Sequence, residues 1–497
     1  MSENQVVTEL FINGRTRSAY DKKLYKIYNP ANPTELVGAA AVAAKGDVDA
    51  AIEAAYGAFP KWSALHVGER ADFLRMIAKE LTADEKDVSF RSKLFTREHG
   101  KILRETLLEM SRLGDRFLQA ANYGERLFTD AILSPAEIGP KFDTIITRQP
   151  AGVAALIVPW NWPLSILGAK LPQALIAGNT VVVKISRYSP LAPYLTLKKI
   201  ASMLPRGVIN VLTGYGNTIG DHLTSHPLVR RVNFTGSIEV GRQVMKSAAE
   251  NLTPVTLELG GNDAALVLKD ANLNEEAFEK MYWGAFASTG QICMALKRLY
   301  IHESRYDEVV DGLTAVCERA VVGDGLLPET TMGPLNNHKQ YITVTEMLDE
   351  ARAAYADVRE LGQVPDKKLY KDGYFQKPTL VLDADLSLSV VREEQFGPVL
   401  PIMKFRTEKD AVLLANASKY GLCSSVWSSD ADRAVRIAKQ LEAGYTYLNN
   451  HGPTAQDGRG PFGGFKHSGI GRNLGFEGVQ AFTESHSITS SEGFLKE

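Results

Sequence analysis

Cysteine is scarce: Cys293, Cys317 and Cys423 are the only three in 497 residues. Three thiols cannot build a disulfide framework, and no spacing is C-x2-C, so neither an oxidised scaffold nor a cysteine metal site is expected. That usage fits a reducing compartment where a thiol stays free. A charge excess is missing too. Lys and Arg number 56 against 58 Asp and Glu, a formal net charge of -2, which gives no reason to expect a nucleic-acid or anionic-membrane partner. The apolar run Ala151 to Pro159 (AGVAALIVP) is far too short to cross a bilayer and reads as a buried strand. The opening MSENQVVTELFINGR lacks the basic start and apolar core of a secretory signal, and the closing SSEGFLKE carries no address or lipidation box. The expectation is a cytoplasmic protein without a metal.

What is present is apolar content of 44%, enough over this length for two or three cored domains. Residues 8 to 20 alternate and turn at Asn13-Gly14, a hairpin signal at the edge of something larger. From Lys45 to about Phe128 apolar residues recur at three and four apart, and Met and aromatic side chains there read as core. The periodicity breaks between Thr129 and Arg148, where Thr144-Ile145-Ile146-Thr147 suggests strands outside the main fold. After Pro150 the rhythm becomes strand, turn, helix, repeated: strands at Val153–Val158, Thr180–Lys184, Ile209–Leu212, Arg231–Phe234 and Pro254–Leu259, with helices from Pro163, Leu191 and Glu239. Such alternation predicts a parallel, doubly wound sheet that binds ligands beyond its carboxyl ends. A second α/β series starts near Ala264.

The change of series falls between Glu258 and Cys293. A lone cysteine is more often an inert buried thiol than a nucleophile. Gly290-Gln291 before Cys293, however, interrupts a helical pattern, and such a break can expose a thiol near amide donors that favour the thiolate. Glu258 closes an apolar strand ahead of Gly260-Gly261. It is either a buried structural acid or a base whose pKa burial has raised, and the glycines leave room for a ligand. Asn161, at the end of a strand, is either a turn residue or a donor to a developing oxyanion. Cys317 and Cys423 lie in plain helix and strand patterns.

Seven motifs follow one another: PWNWPL (159–164), AGNTVVVK (177–184), FTGS (234–237), LELGGN (257–262), GQIC (290–293), EEQFGP (393–398) and PFGGFKHSG (461–469). The ordered set resembles the aldehyde dehydrogenase superfamily from about Leu10 to Thr489. The resemblance implies an α/β fold with a Rossmann-like dinucleotide-binding domain (1–128 and 151–259), an α/β catalytic domain (260–466), and an oligomerisation arm with the C-terminal segment (129–150 and 467–497). It further implies a homodimer or homotetramer. On it, Cys293 is the nucleophile, Glu258 the general base, Asn161 the oxyanion donor with the Cys293 amide, and Lys170 part of a proton path. The implied cofactor contacts are Trp160, Lys184, Ser186, Arg187, Gly216, Gly220, Phe234, Ser237, Leu259, Glu394 and Phe396. The implied substrate pocket is Trp162, Ile166, Ala169, Ile292, Met294 and Phe462, with the loop from His451 to Gly460 at its mouth.

Gly214 to Gly220 is not G-x-G-x-x-G, and Gly236 to Gly241 occupies the equivalent turn. After Lys184 stand Ile185, Ser186 and Arg187, where the family usually carries a glutamate for the adenosine ribose. An arginine there attracts a 2′-phosphate, so NADP+ is favoured, alone or beside NAD+. The pocket is apolar with no cation for a substrate carboxylate, which favours aromatic or medium-chain aliphatic aldehydes over a semialdehyde. Arg459 at the mouth is the one residue that could reverse this. Asn262 stands where the family commonly has a lysine and Asn473 where it has an acid, and neither is assigned a function. The competing readings are a coenzyme-A-acylating relative, a cysteine acyl hydrolase, and a catalytically silent binding protein. Glu258, the absence of a histidine dyad near Cys293, and the intact Cys293–Glu258–Asn161 set weigh against them in turn.

Overall fold

The computed structural model describes residues 5–133 and 141–491. Two large sheets, each buried on both faces, organise the chain. The first carries five parallel strands: β1 (Val153–Ile157), β2 (Thr180–Lys184), β3 (Ile209–Leu212), β4 (Val229–Thr235) and β5 (Val255–Glu258). In space they run β5-β4-β1-β2-β3. The alternation within β1 shows why both faces need cover. Ala154 and Leu156 enter one core with Val181, Val183 and Val211, while Val153, Ala155 and Ile157 enter the other with Val182, Leu212 and Val232. Each fully buried aliphatic side chain contributes about 1.5–3 kcal/mol, so these strands read as continuous β-branched runs.

Antiparallel strands extend the parallel block at both edges. The hairpin Leu10–Ile12 and Arg15–Arg17 extends it antiparallel beyond β3. Its turn puts Asn13 (φ 53°) and Gly14 (φ 71°) in the left-handed region, as a two-residue hairpin requires. At the other edge Gly469–Ile470 pairs antiparallel with β5 and brings the C-terminal segment to Glu258.

The second sheet contains β6 (Asp263–Val267), β7 (Leu296–His302), β8 (Asp357–Glu360), β9 (Thr379–Leu382), β10 (Val399–Phe405), β11 (Cys423–Trp427) and β12 (Tyr445–Leu448). Its order is β8-β9-β10-β7-β6-β11-β12, parallel except for β8. Only Leu259 to Asn262 separates β5 from β6, so the Glu258 strand end lies where the two sheets meet.

Residues 45–127 form four helices, the last being Leu103–Leu127. Its buried stripe carries Leu113 and Phe117, but also Glu105 and Glu109. A third sheet pairs Phe142–Pro150 with Thr483–Ser491 over nine residue pairs and with Ala131–Leu133. Ile132, Leu133, Phe142 and Ile488 are exposed on it. Parts of the expected arm (134–140 and 492–497) and the closing GFLKE lie outside the described residues. No helix among the described residues is long and apolar enough to cross a membrane.

Candidate active site

Cys293 lies on the loop that joins the Glu275–Phe286 helix to β7. That helix ends at Phe286, four residues before Gly290. A turn follows in which Ser288 (φ 52°), Thr289 (φ 58°) and Gly290 (φ 71°) are all left-handed. For the two non-glycines this costs roughly 1–2 kcal/mol each. Specific ties offset it. The Ser288 N–H donates to Glu105 Oε1 (2.6 Å), Thr289 Oγ1 to the Gly333 carbonyl (3.0 Å), Gln291 Nε2 to the Ser288 carbonyl (3.0 Å), and the Asn336 N–H to Gln291 Oε1 (2.9 Å). Gly290 also passes so close to Gly397 that a Cβ would lie 2.1 Å from its carbonyl oxygen.

The thiol is half-buried, and its surroundings do not favour the thiolate expected from the Gly turn. Burial pushes the Cys293 thiol up to about 12; Lys297 opposes this, while Glu394, Glu258 and Asp263 reinforce it. The Gly turn supplies strain and close contact, whereas the nearest charges are mostly carboxylates. Lys297 Nζ donates to the carbonyls of Cys293 (2.8 Å) and Gly261 (2.9 Å) and to Glu394 Oε1 (2.7 Å), stitching three segments together. The space beside Gly260-Gly261 is not left for a ligand. A Cβ on Gly260 would sit 2.3 Å from Glu394 Oε2, and one on Gly261 would sit 2.4 Å from the Cys293 carbonyl oxygen. Cys317 and Cys423 are buried.

Glu258 ends β5 and is buried. Burial pushes its carboxyl up to about 8, opposed by Lys170, Arg472 and a hydrogen bond from Asn473. Oε1 accepts from Asn473 Nδ2 (3.3 Å), and Oε2 has no hydrogen-bond partner among the described residues. Lys170 is fully buried and drawn down to about 7 by burial, with Glu258 and Cys293 pulling the other way, so it lies within electrostatic reach of both. The helix expected from Pro163 is broken at Lys170 into Pro163–Gly168 and Leu171–Ile176. Pro172 has no N–H to continue the first helix, and Lys170 takes a non-helical φ of -132°. Asn161 Nδ2 donates to the Gln291 carbonyl (2.9 Å), which ties it to the nucleophile loop and leaves its second amide hydrogen uncommitted.

The candidate cofactor residues gather at the carboxyl ends of the first sheet. Trp160 follows β1, Lys184 ends β2, Phe234 lies in β4 ahead of Ser237, and Leu259 follows β5. Strand order reverses between β1 and β4, where open α/β sheets form their crevice. Lys184 is buried, pulled down to about 8 by burial and by Arg187, with no side-chain hydrogen bond among the described residues. The missing Cβ of Gly216 would sit 3.9 Å from its Nζ, and one on Gly220 would meet nothing within 4 Å. The Phe234 ring covers Gly236, and Leu259 packs on Gly241. Ser237 caps the Ile238–Ala248 helix, its Oγ accepting the Val240 N–H (3.3 Å). Ser186 Oγ accepts the Tyr188 N–H (3.4 Å). Arg187 is exposed and stacks on Tyr188 (4.5 Å) and Tyr215 (5.3 Å) while donating to the Tyr188 hydroxyl (2.7 Å). Phe396 (φ 50°) meets Trp160 edge-on at 5.5 Å, and Glu394 is held by Lys297.

Trp162, Ile292, Met294 and Phe462 are buried in one cluster, with Ile166 and Ala169 packed against it. The sequence reading missed a cation here. Lys101 Nζ lies 3.9 Å from the Trp162 ring centre, but a buried ion pair with Glu109 Oε2 (2.6 Å) engages it. Glu109 Oε1 also accepts the N–H groups of Leu164 (2.7 Å) and Ser165 (3.0 Å). Glu105 and Glu109 are four apart on one helix face, the signal that could have paired them, whereas Lys101 precedes the helix start at Leu103. Arg459, the other cation considered, is 80% exposed and paired with Asp457 (2.6 Å). His451 is buried against Ser425 (2.9 Å), so the expected mouth loop starts inside the core.

Residues 16–488 match the aldehyde dehydrogenase family. The chain belongs to the aldehyde dehydrogenase family. It is 36% identical over 488 residues to peroxisomal aminoaldehyde dehydrogenase 1 of Pisum sativum, covering 97% of this chain and 95% of that one. It is 34% identical to the NADP(+) succinate-semialdehyde dehydrogenase GabD of Escherichia coli (strain K12), covering 96% of each. The structure of Staphylococcus aureus betaine aldehyde dehydrogenase in complex with NAD+ superposes with a TM-score of 0.90 at 31% identity, covering 98% of this chain and 95% of that one. This aldehyde dehydrogenase is therefore an enzyme that acts on aldehydes, with the mixed α/β fold of its family.

Proposed function

We propose that this aldehyde dehydrogenase oxidises apolar aldehydes, aromatic or medium-chain aliphatic, to carboxylic acids through a thioester on Cys293, with NADP+ favoured over NAD+. The observation that carries the reading is the convergence of Cys293, Glu258, Asn161 and Lys170, from two sheets and a helix break, on one buried site. Loss of the Cys293 thiol proton to water and addition of the resulting thiolate to the aldehyde carbon place negative charge on the carbonyl oxygen, where the second Asn161 amide hydrogen can stabilise it. Hydride loss from that carbon, the chemistry that a nicotinamide supplies when bound, leaves the thioester. Glu258, with Oε2 unpartnered, then takes a proton from the water that hydrolyses it. The same carboxylate disfavours a coenzyme-A-acylating reaction, which needs no activated water.

The β1/β4 crevice, the uncommitted Lys184 ammonium and the helix start at Ser237 fit a dinucleotide. Lys184, Ser237 and the Trp160–Phe396 pair would hold it, and Arg187 beside Lys184 would meet a 2′-phosphate. The apolar cluster around Trp162, with Lys101 tied to Glu109 and Arg459 to Asp457, supports an uncharged substrate. The exposed Ile132, Leu133, Phe142 and Ile488 suit burial in a homodimer or homotetramer, which light scattering would test. The deciding assay is reduced-cofactor absorbance with benzaldehyde, hexanal, succinic semialdehyde and betaine aldehyde, each with both cofactors. A clear preference for either charged aldehyde overturns the substrate reading, and no turnover of any aldehyde overturns the whole.

A further inference from the structure

Four buried polar side chains form one uninterrupted line beneath the site. Lys170 Nζ donates to Asn233 Oδ1, Asn233 Nδ2 donates to Asn473 Oδ1 (2.7 Å), and Asn473 Nδ2 donates to Glu258 Oε1 (3.3 Å). None is more than 5% exposed. They come from the helix break at Lys170, from β4, from the turn after Gly469–Ile470 and from the end of β5. Among the described residues no side chain other than Asn473 bonds the Glu258 carboxyl.

We propose that Asn233 and Asn473 are positioning residues, an aligned pair of amides that transmits the influence of Lys170 to Glu258 and favours its carboxylate form beside Cys293. The inference rests on the reading of Glu258 as the base.

Chemistry fixes the direction of the line. A lysine ammonium can only donate, so Asn233 must turn its oxygen to Lys170 and its NH2 to Asn473. Asn473 must then turn its NH2 to Glu258. Such a line ends best on an anion, and each amide dipole adds to the next, so a positive charge at Lys170 strengthens the last bond. Side-chain amides do not exchange protons readily near neutral pH. The pair therefore orients and polarises rather than conducting a proton. It fixes one carboxylate oxygen and leaves Oε2 for water. An acid at 473, the residue type common in the family, would instead repel the Glu258 anion at that contact.

The groups facing Glu258 from every neighbouring segment are consistent with this. Lys170 and Arg472 favour its charged form, burial opposes it, and the nearby Cys293 and Cys423 are thiols that burial keeps protonated. Among the described residues the amide line is the one hydrogen-bonded link from a cation to the Glu258 carboxyl.

The test uses the full chain with hexanal and NADP+, recording pH profiles of the steady-state rate and the pre-steady-state burst of reduced cofactor. Asn473→Asp should move the controlling ionisation up by about one pH unit or more. That makes turnover at pH 7 about tenfold slower or worse and preserves the burst, because only the hydrolytic step uses the base. Asn473→Ala and Lys170→Met should move it in the same direction by less. The double variant should show less than the sum, because both act along one line. Profiles within 0.3 pH units of the parent for both Asn473 variants, or shifts that add fully, overturn the proposal. If Asn473→Asp does not fold, Asn473→Ala and the Lys170→Met cycle decide by the same criteria. A Glu258→Gln variant with an unchanged steady-state rate would remove the base reading itself, whatever Asn473 does.

Discussion

The Ser288–Cys293 turn and the Ser186–Tyr188 segment both belong to the candidate site, yet they are held by opposite means. The turn is buried and carries three consecutive left-handed residues. It is fixed by Glu105, Gly333, Asn336, Gly397 and Lys297. The segment runs at the surface, and its arginine rests on two tyrosines and one hydroxyl. Around the proposed nucleophile, neighbours over-determine the backbone, and burial moves the ionisations of Glu258 and Lys170 toward neutral pH while pushing that of Cys293 further above it. On the proposed reading, the choice between cofactors rests on a single exposed side chain, Arg187. Changes at the first region should therefore be large and act on chemistry and stability together. Changes at the second should alter preference and little else.

The largest expected effect is at the centre of the buried region. Cys293→Ala should lower aldehyde oxidation by about 10³-fold or more while leaving the melting temperature close to the parent's. Retained turnover would place the nucleophile elsewhere. Next is the anchor behind the turn. Glu105→Ala leaves the buried Ser288 N–H without an acceptor, costing about 1–3 kcal/mol in denaturant unfolding. It should also lower turnover roughly 10- to 100-fold by loosening the cysteine. Glu105→Gln, whose amide oxygen can still accept that N–H, should recover most of both. An alanine variant as active and stable as the parent would show that the turn holds itself.

A third expectation concerns pH. The folded-state carboxyl of Glu258 lies near 8, above the 4.5 of an unperturbed glutamate. Turnover should therefore rise as pH passes through about 8, as the carboxylate appears. The stability that Glu258 contributes by staying protonated is complete below pH 4.5 and is lost as pH rises through 8. Glu258→Gln should thus gain melting temperature relative to the parent between pH 6 and 9, and a gain that shrinks over that range contradicts the burial argument. Smaller in scale, Arg187→Glu should shift the kcat/KM ratio of NADP+ to NAD+ roughly 10- to 100-fold toward NAD+, while kcat with the better cofactor stays within about threefold. An unchanged ratio would mean Arg187 meets only solvent. Smallest of all, Arg459→Ala should leave the preference between hexanal and succinic semialdehyde within about threefold, because Asp457 already engages that guanidinium.

The difference between the regions also explains what could be read before the structure. Strand alternation in β1, β2 and β4 and the seven motifs made the fold, Cys293, Glu258 and Asn161 visible, because those features are local in the chain. The support was not local. Glu105 and Glu109 sit in a helix whose pattern reads as core packing on one side and solvated charge on the other. Nothing in the sequence shows that they point inward to Ser288 and to the Pro163 helix. Asn233 and Asn473 are 240 positions apart and meet only because Gly469–Ile470 folds back on β5. The break at Lys170 was discoverable from Pro172. The cysteine environment was misread because a glycine turn says nothing about the carboxylates that three other segments bring to it.

The central claim is that Cys293 and Glu258 act in succession on one acyl group. It is tested most directly by mixing Glu258→Gln with hexanal and NADP+, quenching in acid, and mapping the peptides by mass. The account predicts a burst of reduced cofactor close to one per active site, slow turnover afterwards, and a hexanoyl group on the Cys293 peptide. A variant that turns over at the parent's rate, or a burst with no acyl group on Cys293, would contradict it.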